Sequence, residues 1–374
     1  MTTTTASKPP LPRAPGDVTP DWLTAALRSG GLDVTVRSFQ RCPVGEGIGM
    51  MSGLERLDVE YAQGDGPAVV VLKMPVGNAA NLAVAQSFHV YERELLFYRD
   101  VAAMTAAYTA KVFYADIDGH DFALLLEDLS AYELGDQIVG CTLEQARDGI
   151  AWLGRHHASL WGRVDEPVFD FLPLVSPSYS SEALMQGSAY GWDPMVAAFG
   201  AVLPDHIASL RDRYLAAAPK LFDWMATPPL TVIHGDFRMD NLFFARDEHQ
   251  EPLIAIDWQG SLRGRATQDV AYFLSGSIPS DVRKVHEREL VEEWRGHLVE
   301  GGVTGYSADD AWEDYRRATL YVWVIAVVIA GTLDPANERG RRWISVMLAR
   351  SAAAFDDLAL IELLEQFERD EIVG

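Results

Sequence analysis

Residues 231–260, TVIHGDFRMDNLFFARDEHQEPLIAIDWQG, decide how the rest of the chain is read. Thr231–Ile233 is apolar and β-branched and runs into His234-Gly235-Asp236. Asn241 follows Asp236 by five residues. A second apolar run, Leu253–Ile256, ends at Asp257. Short runs of this kind bounded by turn formers predict strands, so the polar residues sit at strand ends, where side chains can converge. Phe243 and Phe244 are expected in the core.

That set of side chains suits one chemistry. Phosphoryl transfer to a hydroxyl uses a carboxylate to orient and deprotonate the nucleophile, an amide oxygen on Mg2+, and a second carboxylate on Mg2+. Asp236, Asn241 and Asp257 supply those groups in that order. The Asp-to-Asn spacing equals that of the kinase catalytic loop H-R-D-x-x-x-x-N, with Gly235 where the pattern has Arg. His234 is read as a hydrogen-bonding support for the loop. Arg238 either neutralises charge near phosphates or pairs with Asp240.

Upstream, predicted strands at Asp33–Arg41 and Leu54–Tyr61 flank GEGIGMMSG, residues 45–53. Glycine lets a backbone approach phosphates closely, so Gly47, Gly49 and the hydroxyl of Ser52 are candidates; a plain hairpin turn is the alternative. AVVVLK, 68–73, reads as a strand ending in Lys73. A lysine there needs a partner or must snorkel to water. A predicted helix over Ala83–Val101 carries Glu92 and Glu94. Leu95, Tyr98 and Val101 fall at helical spacing and are expected to pack that helix on the sheet.

HGDFRMDN with IDWQ downstream resembles the aminoglycoside phosphotransferase and choline kinase-like family of small-molecule kinases. ERELLFYRD at 92–100, ALLLEDLS at 123–130 and LGRHHASLWG at 153–162 resemble its ecdysteroid kinase-like branch, and the likeness runs over roughly residues 20–360. The resemblance implies an α+β, bilobal, protein-kinase-like fold, with an N-terminal antiparallel five-stranded sheet plus helix and a larger, mainly helical C-terminal lobe. It implies ATP and Mg2+ as cofactors, the nucleotide lying in the cleft between lobes. Lys73, held by Glu94, would grip the α/β phosphates, and the backbone at Glu127 and Leu129 would face the adenine edge. Asn241 and Asp257 would hold the metal and Asp236 would serve the acceptor hydroxyl. Trp258-Gln259 replaces the Phe-Gly of protein kinases, so no activation-loop flip of that type is implied. Asp269 would cap the helix it opens and buttress the catalytic loop.

Composition bounds the rest. At 374 residues and 48% hydrophobic the chain can bury a sizeable core. Its net charge of −23 repels nucleic-acid backbones; it serves solubility or attracts a cationic substrate. Two cysteines without metal-ligand spacing point to free thiols and a cytoplasmic setting. The start lacks the apolar stretch of a signal peptide, and Tyr321–Ala330, the longest apolar run, is too short to span a bilayer, so no membrane partner is expected and this run reads as a buried helix. The domains are read as a disordered lead over 1–17, a nucleotide-binding lobe over 18–128 and a catalytic and acceptor-binding lobe over 129–374.

Thr19-Pro20-Asp21 predicts a helix start and Gly30-Gly31 its end. Thr142 with Gln145 forms a capping box for a helix reaching Trp161; its His156 and His157 read as packed, hydrogen-bonded histidines. Residues 163–230 read as irregular before helices near 195–201 and 204–225, where Tyr179, Tyr190 and Trp192 either line the acceptor pocket or pack on helices. Arg263-Gly264-Arg265 meets phosphate or substrate, or is a surface loop. Helices are expected near 280–298, 308–331 and 338–367. The reading is an ATP- and Mg2+-dependent phosphotransferase acting on a hydroxyl of a small molecule; a catalytically silent nucleotide- or ligand-binding protein is the alternative.

Overall fold

The computed structural model describes residues 8–43, 52–75, 89–175, 182–332 and 338–369. The chain divides into two compact units, one comprising Met1–Ala103, Thr109–Tyr132 and Ile256–Gly260, the other Met104–Tyr108, Glu133–Ala255 and Ser261–Gly374. The fold is α+β.

In the first unit Thr19 caps the Pro20–Ser29 helix, its hydroxyl accepting the Trp22 N–H at 3.1 Å, and the helix ends at Gly30. Five strands follow: β1 (Thr35–Pro43), β2 (Ser52–Gln63), β3 (Val69–Pro75), β4 (Val112–Asp118) and β5 (Asp121–Glu127), in the order β1-β2-β3-β5-β4. All neighbours are antiparallel. Side chains alternate between the two faces of a strand. Val70, Leu72, Met74, Ala123 and Leu125 therefore join Trp22, Leu23, Ala26 and Leu27 of the first helix in one core. The opposite parity, Lys73, Phe122 and Leu124, faces the Val90–Leu96 helix, whose Tyr91 ring lies 4.5 Å from that of Phe122. Leu95, Tyr98 and Val101 are buried as their spacing implied, but the helix widens to π geometry over Phe97–Val101. Of the lead expected to be disordered through residue 17, residues 8–17 are described and held by defined contacts. Lys8 Nζ donates to Ala115 O at 2.7 Å, the Trp22 indole to Pro10 O at 2.8 Å, and Arg13 pairs with Asp118 and Asp121.

The second unit is mainly helical, with a three-stranded sheet of β6 (Glu133–Leu134), β8 (Leu242–Phe244) and β9 (Leu253–Ala255) and a two-stranded pair of β7 (Thr231–Ile233) and β10 (Leu262–Gly264). The Thr142–Gln145 box opens a helix over Leu143–Leu160, the reciprocal bonds measuring 3.0 and 3.2 Å. Its partner across the core is the Ser280–Glu300 helix. The apolar run 321–330 lies inside the Ala308–Thr332 helix and is largely buried. No helix among the described residues is long and apolar enough to cross a membrane.

Two expectations are corrected. Glu182–Phe199 is one helix, not an irregular stretch, despite Pro194 within it. Gly187 and Gly191 are not breakers there: they let the helix close on Val328, Val327 and Gly331 of the Ala308–Thr332 helix. The single helix expected over 338–367 is two, Glu338–Asp357 and Leu360–Glu368, broken where Ala359 takes φ 51°.

Candidate active site

In the first unit, strand alternation aims Lys73 at the Val90–Leu96 helix. Its ammonium donates to both Glu94 carboxylate oxygens, at 2.7 and 2.6 Å. Both side chains are almost fully buried, Lys73 at 6% and Glu94 at 3% exposure, so each depends on the other for its charge. Burial alone would lower the Lys73 pKa; the charges of Glu94 and Asp257 overcome it and hold the ammonium above its usual value.

Asp257 sits 3.8 Å from Lys73 Nζ, in the left-handed region at φ 67°. Aspartate tolerates that conformation better than most residues, but still at a cost. Its Oδ1 is buried and accepts no hydrogen bond from the described residues. The next residues tie this acid to the glutamate helix. Trp258 stacks on Phe97 with centroids 3.4 Å apart and planes 11° from parallel, and Gln259 Nε2 donates to Glu94 Oε2 at 3.1 Å.

In the second unit the loop after β7 presents Asp236. Its carboxylate is gripped from three sides. Tyr272 Oη donates to Oδ1 at 3.1 Å, Asn241 Nδ2 to Oδ2 at 2.9 Å, and Arg238 Nε approaches the two oxygens at 3.1 and 3.3 Å. Asn241 Nδ2 also donates to the Asp236 carbonyl at 2.9 Å, which fixes the amide plane. Burial and the Asp236 charge push the Tyr272 pKa up, so its hydroxyl stays a donor. Arg238 pairs with Asp240 at 2.7 Å as well, which is the second of the two readings of that arginine.

The loop is buttressed from beneath. Asp269 is fully buried and accepts the His234 N–H at 2.7 Å and the Gly235 N–H at 2.8 Å, with His157 Nε2 at 3.2 Å. Burial would raise its carboxyl; the hydrogen bond and charge of His157, with His234 and the Gly235 amide, hold it below the ordinary value. Trp294 Nε1 donates to His157 Nδ1 at 3.2 Å, completing the support. From the side, buried Gln137 accepts the Met239 N–H at 2.9 Å and its own N–H donates to Asp240 at 3.0 Å.

The family model described as "Ecdysteroid kinase-like family" matches residues 46–302. The chain belongs to this family. The family is one of kinase-like phosphotransferases, which agrees with the resemblance read from the motifs. Among curated proteins, mouse (Mus musculus) acyl-CoA dehydrogenase family member 10 is 31% identical over 113 residues, which are 27% of this chain and 10% of that protein. The chain thus matches only about a tenth of that relative's length. Solved structures similar in fold include the GDP complex of wild-type aminoglycoside 2'-phosphotransferase-IIIa, at 15% identity, 91% and 95% coverage of this chain and that one, and TM-score 0.49. Another is a macrolide 2'-phosphotransferase from Brachybacterium faecium, at 18% identity, 85% and 100% coverage, and TM-score 0.46. A third is an aminoglycoside phosphotransferase from Streptomyces rimosus, at 15% identity, 82% and 97% coverage, and TM-score 0.43.

Within this family member, the expected site residues fall into two clusters, Lys73, Glu94 and Asp257 in the first unit and Asp236 and Asn241 in the second. Gly47, Gly49 and the side chain of Ser52 lie outside the described residues, as does Tyr179. Glu127 Oε1 accepts the Lys111 N–H at 2.6 Å, and the Leu129 carbonyl accepts the Tyr132 N–H at 2.9 Å. Trp192 is core, while Tyr190 is exposed.

Asp269 buttresses the loop but does not cap its helix, which begins at Thr267. The basic cluster is not a surface loop. Arg265 is buried, lies 4.1 Å over the Trp224 ring and pairs with Asp314 at 2.7 Å; the Arg263 backbone is in β10, and its guanidinium reaches Val164 O at 3.2 Å. Sequence reasoning missed Tyr272, Gln137 and Gln259 as partners of the site. Only Tyr272 carried a signal, three positions beyond Asp269 on the same helix face.

Proposed function

We propose that the protein is a phosphotransferase that uses Mg2+ and ATP to phosphorylate a hydroxyl of a small molecule. The observation that carries this reading is the buried Lys73–Glu94 pair with Asp257 beside it, whose Oδ1 is buried and accepts no hydrogen bond from the described residues. A buried carboxylate oxygen without a donor fits a cation ligand. The described residues hold no group of three or more His, Cys, Asp or Glu able to cage a metal, and Mg2+ in such sites takes one or two carboxylates plus substrate phosphates. Asp257 and Asn241 are the residues proposed to hold it. When bound, Mg2+ neutralises charge on the phosphate oxygens.

The chain's own residues do the rest. Lys73 keeps its proton and offers it to the α/β phosphates; Glu94 prevents it from pivoting away. Asp236 accepts the hydrogen bond of the acceptor hydroxyl and aligns its oxygen for in-line attack. With Tyr272, Asn241 and Arg238 on its carboxylate, Asp236 does not reorganise during the reaction, which is how preorganised groups lower a barrier. Glycines 47 and 49 and Ser52 are proposed to cover the phosphates, and the backbone at Glu127 and Leu129 to meet the adenine. The cytoplasm is the proposed setting, in keeping with the free thiols of Cys42 and Cys141. The test is a screen of hydroxylated metabolites and antibiotics with ATP and Mg2+, read as mass gain of one phosphoryl group and stoichiometric ADP. Nucleotide binding without acceptor-dependent ADP across the screen would favour a silent binding protein instead.

A further inference from the structure

Gln259 has no part in the chemistry just described, yet it touches the centre of the first-unit cluster. Glu94 carries two carboxylate oxygens, both bonded to the single ammonium of Lys73. A carboxylate held by one ammonium on a flexible stem can rotate with it. A third hydrogen bond, from Gln259 Nε2 at 3.1 Å, comes from a different segment of chain and removes that freedom. The same segment carries Asp257 two residues earlier, in its left-handed conformation, with Trp258 between them stacked on Phe97 of the glutamate's own helix.

We propose that Gln259 is a positioning residue, which locks Glu94 and Asp257 into one fixed arrangement around Lys73. The inference rests on the phosphotransferase reading. A neutral amide suits the place. Lys73 already faces two acids, Glu94 and Asp257, and a third would leave one ammonium among three carboxylates. A donor is required, because the Glu94 oxygen it meets can only accept while ionised.

The experiment measures binding of Mg2+ with a non-hydrolysable ATP analogue to the full chain by calorimetry. Gln259→Leu, which keeps bulk and loses the donor, is expected to weaken binding about tenfold or more, the scale of a hydrogen bond to a charged group. In a Glu94→Gln background the same change is expected to cost no more than about twofold, because the two residues act together. Gln259→Glu supplies a readout that loss of packing alone does not move. Its affinity relative to wild type should fall as pH rises from about 6 to 8.5, because the two facing carboxyls share a proton only at the acid end. This variant also serves if the leucine variant folds poorly.

Equal losses for Gln259→Leu in both backgrounds, or a Gln259→Glu affinity that tracks wild type across pH, would overturn the proposal. Wild-type binding abolished by Asp257→Ala but untouched by Gln259→Leu would overturn it alone. Failure of the wild-type chain to bind Mg-nucleotide would overturn the underlying reading with it.

Discussion

Replacing Lys73 with Met leaves Glu94 in a site that was built for an ion pair. The variant keeps most of the side-chain volume and removes the donors at 2.7 and 2.6 Å. Glu94, 3% exposed, retains only Gln259 at 3.1 Å among the bonds described above. At such a separation and an effective dielectric of about 20, the gross attraction forfeited is roughly 6 kcal/mol. Part of that is offset because a lysine need no longer be desolvated, so the net cost should be about 3–5 kcal/mol, the range for breaking one side of a buried pair. Hydrogen exchange of β3 and the Val90–Leu96 helix isolates the first unit. Protection factors there should drop by about a hundredfold to several thousandfold.

The double variant Lys73→Met with Glu94→Gln should recover at least half the loss, because no buried charge is left unpaired. The pH dependence has a definite sign. Burial raises the Glu94 carboxyl, and without Lys73 little opposes it, so the folded variant takes up a proton more readily than the unfolded chain. Its destabilisation is therefore full above that raised value and shrinks as pH falls through it. Unchanged protection in Lys73→Met, or a double variant whose loss is the sum of the single ones, would refute the reasoning.

Three further outcomes follow from packing and burial elsewhere. A Cβ at Gly331 would lie 2.0 Å from the Gly191 carbonyl oxygen, a backbone atom that cannot yield, so Gly331→Ala should lower stability by about 1–3 kcal/mol in urea unfolding. Gly296, in the interior of the Ser280–Glu300 helix, has nothing within 4 Å of a built Cβ, and Gly296→Ala should gain up to about 1 kcal/mol. Burial and His157 hold the His156 pKa well below its ordinary value. Its contribution to stability is therefore present above about pH 6.5 and is lost as pH falls toward the folded value, at about 1.4 kcal/mol per pH unit. Urea midpoints at pH 7.5 and 5.5 should diverge more for wild type than for His156→Gln; parallel behaviour would show that His156 is not the titrating group.

Local chemistry made much of this legible in advance. The Thr142–Gln145 box and the Thr19 cap are short-range and were read correctly, because their partners lie within three residues. The Lys73–Glu94 pair was legible for a different reason: a lysine ending a strand of valines and leucines needs a partner or an outlet to water, and the family resemblance around Glu94 decided between the two. The failures share a cause. Gly187 and Gly191 look like punctuation until the Ala308–Thr332 helix, more than a hundred residues on, is seen to need their small size. Arg265 looked basic and exposed because Asp314 and Trp224, which bury it, are distant in sequence. Gln137 stands in no motif, and Tyr272 and Gln259, though marked by a helix face and by the IDWQ run, gain their neighbours only from the fold.

The account stands or falls on Asp236. Once a phosphorylated acceptor is in hand, Asp236→Asn should be compared with wild type under Mg2+ and ATP, with nucleotide affinity measured in parallel. The amide keeps the size of the acid but cannot take the hydroxyl proton. Turnover should drop by about a hundredfold or more, the scale of general base catalysis, while nucleotide affinity stays within about twofold. Turnover at the wild-type rate in Asp236→Asn would contradict the role on which the mechanism is built.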